Sequence, residues 1–149
     1  MEARTLHAPL DALSAANRPQ GIEIATLTTF DIPALAVLTL EAYGDAVTPE
    51  ALMETSEELR LTFEGAFGAT TEDSFIGAWD GGTLVGAILV VRESPWDDAP
   101  DGPFVVDLIV APDYRRRGIA TALISEGATR CSRWGFDSLA LRLDTRHGG

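Results

Sequence analysis

The chain has 149 residues, 46% of them apolar and 23% charged, which suits one globular domain with a buried core. It has 23 acidic residues, 11 arginines and no lysine, and the resulting charge of −12 argues against general nucleic-acid binding, which depends on neutralising phosphates. This acidity either attracts a cationic substrate or only keeps the protein soluble.

Targeting and redox signals favour a cytoplasmic protein. The longest apolar run, residues 84–91, is far shorter than the roughly 20 residues that cross a membrane, and residues 1–20 do not resemble a signal peptide. Cys131 is the only cysteine, so no internal disulfide is expected. His7 and His147 are too few and too far apart in sequence to suggest a metal site. We therefore expect neither a membrane partner nor a metal.

Periodicity predicts an N-terminal extension followed by one α/β domain. Residues 1–20 lack clear periodicity, and we expect them to be helical or disordered. The domain, residues 21–149, has the predicted order strand 21–27, helix 28–44, helix 48–63, a hairpin of two strands within 74–94, strand 104–111, helix 118–133 and strand 136–144. Asp31 and Thr48 are the expected N-caps of the first two helices, and Pro49 is expected at the first position of the second. Strand 104–111 is apolar at nearly every position, which predicts a central strand that is buried on both faces.

Three consecutive arginines separate strand 104–111 from the helix that Gly118 begins, in the stretch APDYRRRGIATALI. The first turn of a helix has backbone N–H groups without internal partners, and the helix dipole adds positive potential there. Such an end binds anions, above all phosphates, and glycine lets a ligand approach the backbone closely. The alternative is a solvated basic turn that only starts a helix.

The longer stretch LIVAPDYRRRGIATALI resembles the acyl-CoA-binding signature of the GNAT superfamily of N-acetyltransferases. That signature is an apolar strand, a proline, and then Arg or Gln-x-x-Gly-x-Gly or Ala at the start of a helix. Arg115, Gly118 and Ala120 fill its three fixed positions, and Pro112 matches its proline. The resemblance implies a GNAT-like α/β (α+β) fold with a mixed central sheet flanked by helices.

The resemblance also implies acetyl-CoA as the cosubstrate. The pyrophosphate is expected on the amides of residues 115–120, with the Thr121 hydroxyl as a further donor, and the pantetheine arm beside residues 108–110. In the family this strand splays from its neighbour, usually with a bulge, to admit the cofactor. The implied cofactor-binding residues are Leu108, Ile109, Val110, Arg115, Arg116, Arg117, Gly118, Ile119, Ala120 and Thr121.

The implied reaction is direct attack of a primary amine on the acetyl thioester. An alkylammonium with a pKa near 10.4 is almost wholly protonated at neutral pH, so a group must accept its proton. Asp107 interrupts an apolar strand and is our candidate for that base or for an anchor of the amine. A structural aspartate, paired with Arg142 or facing solvent, is the alternative. By analogy with the family, the N–H of Val110 would stabilise the oxyanion.

Candidate acceptor-site residues are Tyr43 and Asp45, between the two early helices, and Trp96, in an acidic loop. A plain helix end is the alternative for Tyr43 and Asp45. We expect the acceptor to be a small cationic molecule, with a peptide N-terminus as a second possibility. A non-catalytic acyl-CoA-binding module is the alternative function.

The match to the family pattern ends early. After the last predicted strand, GNAT proteins usually continue through an Asn-containing turn, a helix with a tyrosine that protonates the thiolate, and two more strands. His147 stands about where that Asn is expected. We expect an unpaired flank on the last strand, explained by a shortened form of a longer enzyme, by a homodimer that covers this edge, or by loss of catalysis.

Overall fold

A computed structural model describes residues 3–9, 19–92 and 102–144 of the chain. The strands are β1 (Ala3–Pro9), β2 (Ile22–Thr26), β3 (Phe75–Asp80), β4 (Thr83–Val91), β5 (Phe104–Val110) and β6 (Ser138–Asp144). The helices are α1 (Ile32–Ala42), α2 (Pro49–Phe63) and α3 (Ile119–Arg133). No helix in this described part of the chain is both long and apolar enough to cross a membrane.

The strands form one sheet in the order β1-β6-β5-β4-β3-β2. Neighbouring strands are antiparallel except β5 and β6, which are parallel, so the sheet is mixed. The predicted α/β fold and the predicted order of elements after residue 20 are confirmed. Because β4 lies inside this sheet with helices on both faces, its residues from Leu84 to Val91 are all buried.

Two apolar cores lie on opposite faces of the sheet. On one face α3 contributes Ile119 and Leu123, which pack with Ile88 and Val90 of β4. On the other face α1 and α2 pack against the alternate residues of the same strand, among them Leu89. Because successive side chains of a strand point to opposite faces of the sheet, β4 packs against α3 on one face and against α1 and α2 on the other.

Local capping sets where the first two helices begin. Thr48 caps α2 as predicted, because its Oγ1 accepts a hydrogen bond from the Ala51 amide at 3.1 Å. Asp31 is the N-cap position of α1 as expected, but its side chain makes no cap bond to α1. Its carboxylate accepts a bond from the Thr28 amide at 2.8 Å and closes a 3-10 turn over Thr29–Asp31, and the α-helix begins at Ile32.

The N-terminal segment corrects two expectations. Residues Ala3–Pro9 form strand β1, although residues 1–20 were expected to be helical or disordered. This strand pairs antiparallel with β6, from Ala3 opposite Asp144 to Pro9 opposite Ser138. The flank of β6 that was expected to be unpaired is therefore occupied by the same chain. Residues 10–18, which fall under the same expectation, lie outside the described residues.

A buried polar cluster fixes the C-terminal half of α3 to the sheet and to the loop before β3. Arg130 is 8% exposed, and its guanidinium bonds to Glu126 at 3.0 Å, to Thr26 Oγ1 at 2.6 Å and to the Asp73 carbonyl at 3.0 Å. The indole of Trp134 donates to Asp73 Oδ1 at 3.0 Å. Burial raises the pKa of Asp73, but hydrogen bonds from Thr71 and Trp134 and the charge of Arg130 outweigh it and lower this pKa overall.

Candidate active site

Strands β5 and β6 pair along only part of their length. Among the described residues, Phe104 is opposite Ala140 and Val105 is opposite Leu141, and parallel pairing ends there. Next to this point β5 has a bulge, because Leu89 and Val90 of β4 face Asp107 and Val105, which leaves Val106 as the extra residue. The structure thus has both the splay and the bulge that the family resemblance implied.

The splay explains why β5 is less buried than expected. Phe104, Val105 and Ile109 are buried, but residues 106–108 and Val110 are only partly buried. The prediction that this strand is buried on both faces along its length was therefore wrong for its second half. A continuous apolar run cannot predict that a neighbouring strand diverges, because helices that cover the sheet favour apolar residues just as neighbouring strands do.

Backbone direction places the amide of Val110 on the splayed side. The amide of Ala111 donates to the Val85 carbonyl of β4 at 2.8 Å. Because successive amides of an extended strand face opposite edges, the amide of Val110 faces away from β4, toward β6. The predicted oxyanion donor therefore faces the gap between β5 and β6.

The β5–α3 junction has an unusual backbone, and the first turn of the helix has no side-chain cap. Arg116 has φ +63° and Gly118 has φ +83°, both in the left-handed region. Gly118 is the N-cap of α3 and has no side chain to accept from the first-turn amides of Ile119, Ala120 and Thr121. The geometry requires glycine chiefly for its φ, because an added Cβ would meet no atom closer than Pro19 Cγ at 3.8 Å.

The three arginines have different surroundings. The Arg115 guanidinium is half-buried and donates to two backbone carbonyls, through Nη2 to Ala42 at 2.5 Å and through Nε to Val110 at 3.3 Å. Arg117 is exposed, and its guanidinium lies 4.9 Å from the centre of the Tyr114 ring. Arg116 is also exposed. The side chain of Arg115 therefore connects protein elements. Its amide donates to the Pro112 carbonyl at 3.5 Å, and the role of this amide in cofactor binding stays a prediction.

A cavity of about 410 Å³ lies between α1, α2 and β5. This volume is within the range of roughly 300–1,000 Å³ that holds small-molecule ligands. The residues that line it are Thr39, Leu40, Tyr43 and Asp45 from α1 and the residues after it; Thr55, Glu58, Leu59, Thr62 and Phe67 from α2 and the residues after it; and Leu89, Val106 and Asp107 from the sheet. Its charged lining residues are three carboxylic acids, which gives the described wall a negative potential.

Asp107 and Tyr43 meet in this cavity. The Tyr43 hydroxyl donates to Asp107 Oδ1 at 2.8 Å, although the two residues are 64 positions apart in sequence. Both side chains are half-buried, and the exposed Asp45 lines the same cavity. The structure therefore brings together three of the four residues predicted for catalysis and acceptor binding. The fourth, Trp96, lies outside the described residues.

Helix α2 contributes lining residues that sequence reasoning missed. Thr55, Glu58, Leu59 and Thr62 have the spacing of one helix face. Thr62 is 7% exposed, and its hydroxyl donates to the Glu58 carbonyl at 2.9 Å. A signal was present, since two threonines and a glutamate accompany Leu59 on one face of this helix.

A match to a protein-family model identifies the family of the chain. The family model described as the acetyltransferase (GNAT) family matches residues 38–147, so the chain belongs to the GNAT acetyltransferase family. The match includes β5, the arginine junction, α3 and most of the cavity wall. A search of curated proteins found no match.

Solved structures share this fold at low identity. A GCN5-related N-acetyltransferase from Sphaerobacter thermophilus is 22% identical with a TM-score of 0.68, covering 95% of this chain and 42% of its own. A ribosomal-protein-alanine N-acetyltransferase from Brucella melitensis biovar Abortus 2308 is 23% identical with a TM-score of 0.60, covering 83% and 80%. A PaiA N-acetyltransferase from Thermoplasma acidophilum, solved in complex with coenzyme A, is 19% identical with a TM-score of 0.53, covering 76% and 74%. The chain thus spans less than half the length of the Sphaerobacter relative.

Proposed function

We propose that the protein is an acetyl-CoA-dependent N-acetyltransferase that acts on a primary amine of a small cationic molecule. The observation that carries this proposal is that one strand, β5, borders both the cavity proposed for the acceptor and the junction proposed for the cofactor. Asp107 of β5 lies in the acid-lined cavity, and the same strand ends three residues later at Val110, just before the junction whose helix amides have no side-chain cap. An acceptor in the cavity and a thioester beside Val110 would therefore meet at β5.

The residues at the junction fit the diphosphate of acetyl-CoA, which when bound supplies the activated acetyl group. The first-turn amides of α3 lack a side-chain acceptor from Gly118, and an anion would satisfy them. The exposed Arg116 and Arg117 add positive potential beside these amides. Residues 108–110, along the splay from β6, would hold the pantetheine arm.

Asp107 is the proposed base. A carboxylate at the cavity wall can accept the proton that an alkylammonium must lose, directly or through one water. The Tyr43 hydroxyl fixes one carboxylate oxygen, which restricts the orientation in which the other oxygen meets the amine. As the amine attacks, negative charge develops on the thioester oxygen, and the amide of Val110 is the proposed donor to it. Cleavage of the C–S bond then gives the acetamide and the CoA thiolate, which takes up one of the two protons that the ammonium loses.

The cavity favours a cationic acceptor. Its described charged groups are Asp45, Glu58 and Asp107, and the other described lining residues are neutral. Carboxylates that line one concave surface raise the local concentration of cations. This favours a small amine with positive charge over a neutral or anionic acceptor.

A coupled assay of CoA release tests the proposal. Purified protein and acetyl-CoA are incubated with a monoamine, a diamine, an aminoglycoside, a short peptide with a free N-terminus, and a neutral alcohol as the control. The proposal predicts amine-dependent release of free CoA, fastest with the small cations, and an acetamide product by mass spectrometry. Tight acetyl-CoA binding without release for any amine would contradict it and favour an acyl-CoA-binding module.

The cytoplasmic location and the homodimer stay predictions.

A further inference from the structure

Arg115 joins the two backbone segments that carry Tyr43 and Asp107. Its Nη2 donates to the carbonyl of Ala42, the last residue of α1 and the neighbour of Tyr43. Its Nε donates to the carbonyl of Val110, the last residue of β5 and three positions after Asp107. With the bond between Tyr43 and Asp107, these contacts form a closed circuit through α1, Arg115 and β5.

The chemistry of this contact suits arginine. The last carbonyls of a helix have no internal partner and form the negative end of the helix dipole, so a half-buried cation is favourable beside Ala42. A guanidinium presents several donors in one rigid plane, which lets it bond to two carbonyls that belong to different elements. A lysine has a single ammonium on a flexible chain and does not reproduce this fixed spacing.

We propose that Arg115 is a positioning residue that holds the Tyr43–Asp107 pair in its reactive geometry. This role rests on the proposed function of Asp107. Under this proposal the backbone and the side chain of Arg115 have separate roles. The backbone begins the proposed anion-binding junction, and the side chain organises the acceptor cavity. The first arginine of the motif therefore links the cofactor end to the acceptor end of the site.

Arg115→Lys tests the inference because it keeps the positive charge. If Arg115 acts through the pair, kcat falls by about tenfold or more, as small misplacements of reacting groups do, while the dissociation constant of CoA changes by less than about threefold. The matched control is Arg133→Lys, at the exposed C-terminal end of α3, which is expected to leave both quantities near wild type. An equal loss in kcat and CoA affinity would make Arg115 an ordinary phosphate ligand and overturn the inference.

A double-mutant cycle with Tyr43→Phe separates positioning from general destabilisation. Residues that act through one contact have non-additive effects. In the Tyr43→Phe background the Arg115→Lys change is expected to lower kcat by less than about twofold further. Fully multiplicative losses would show that Arg115 does not act through Tyr43. Arg115→Gln, which keeps a donor but no charge, serves as the second variant where Arg115→Lys is poorly folded.

A crystal structure of the Arg115→Lys protein decides the inference without any activity. The expected result is that the Tyr43 hydroxyl and Asp107 Oδ1 move beyond hydrogen-bond distance from their present 2.8 Å. An unchanged bond would overturn the positioning role. If the wild-type protein acetylates no amine, the proposed function fails, but this structural comparison still decides whether Arg115 positions the pair.

Discussion

The two ends of the site are built from different parts of the chain. The proposed cofactor end is made of backbone, with left-handed Arg116 and Gly118 just before the first-turn amides of α3, which have no side-chain cap. The acceptor end is made of side chains, since α1, α2 and β5 each contribute one or more groups to a single cavity. The first uses a contiguous stretch of the sequence, whereas the second joins Tyr43 to Asp107 across 64 positions.

This difference predicts how each end tolerates change. Backbone amides survive most side-chain substitutions, so the cofactor end should be sensitive mainly to residues that set φ and ψ. The acceptor end depends on the placement of a few functional groups, and the loss of one should abolish the chemistry while CoA still binds. Substitutions at the two ends should therefore separate CoA affinity from turnover.

The largest expected effect is on turnover, from Asp107→Asn. Asparagine keeps an oxygen for the Tyr43 hydroxyl but cannot accept a proton, so kcat should fall by roughly 10²- to 10⁴-fold. The dissociation constant of CoA, measured by calorimetry, should stay within about twofold of the wild-type value because the junction amides are untouched. Asp137→Asn, at an exposed position after α3, is the control. Near-normal turnover by Asp107→Asn would remove Asp107 from the mechanism.

A smaller effect, on CoA affinity, is expected from Gly118→Ala. A Cβ at φ +83° costs about 1–2 kcal/mol, and a junction that shifts to relieve this strain moves the amides that hold the diphosphate. We expect CoA affinity to fall by about tenfold, which corresponds to about 1.4 kcal/mol. The measurement is calorimetric titration with CoA, combined with urea unfolding to obtain the free energy of unfolding.

Gly135→Ala is the matched control for this change. Gly135 has φ +92°, and an added Cβ there meets nothing within 4 Å. Its free energy of unfolding should decrease by about as much as that of Gly118→Ala, because the backbone strain is similar. Its CoA affinity should stay at the wild-type value. Equal losses of CoA affinity in both variants would mean that the effect comes from stability and not from the junction.

The sequence predicted the parts of the molecule that are local. Thr48 and Pro49 at the start of α2, and Gly118 at the start of α3, follow from capping and backbone preferences within a few residues. The anion-binding junction has a recognisable motif for the same reason. Asp107 was also identifiable, because a carboxylic acid in an apolar strand requires an explanation.

What the sequence did not reveal depends on contacts between distant segments. Strand β1 pairs with β6 at the opposite end of the chain, and residues Ala3–Pro9 have no periodicity that predicts this. The partial burial of β5 follows from where β6 diverges, and the role of Arg115 follows from its contact with Ala42, 73 positions away. Such features appear only when the tertiary arrangement is known.

At its C-terminal end α3 is fixed by the polar cluster that contains Asp73, Arg130 and Trp134. Asp73→Asn weakens the bonds that Asp73 Oδ1 accepts from Thr71 at 2.6 Å and from Trp134 at 3.0 Å. We expect the free energy of unfolding at neutral pH to fall by about 1–2 kcal/mol, as for hydrogen bonds to a charged group. CoA affinity should change by less than about twofold, because apolar packing against the sheet also holds α3.

The pH dependence of this loss gives an independent check. The pKa of Asp73 is lower in the folded protein than its ordinary value of 3.8, so its ionised form stabilises the fold above that value. This contribution is lost as the pH falls through the folded pKa, and the difference between wild type and Asp73→Asn should therefore shrink below about pH 4. Urea unfolding at several pH values measures it. Glu72→Gln, at the exposed neighbouring position, is the control, and a pH-independent difference would contradict the ionic role.

The smallest expected effect combines two opposite changes in Arg116→Asn. Asparagine adopts positive φ more readily than arginine, so the free energy of unfolding should rise by a few tenths of a kcal/mol. CoA affinity should fall by about two- to fourfold at low salt, and this loss should fade at about 0.5 M salt because the contribution is electrostatic and exposed.

Arg133→Gln changes the net charge of the protein by the same amount at the far end of α3, and it should leave CoA affinity unchanged. If the loss in Arg116→Asn persists at high salt, this side chain contacts the cofactor directly, and the cofactor end depends on side chains as the acceptor end does. If the loss is absent at low salt, the backbone alone accounts for the anion site. The first result would contradict the division between a backbone end and a side-chain end, and the second would sharpen it.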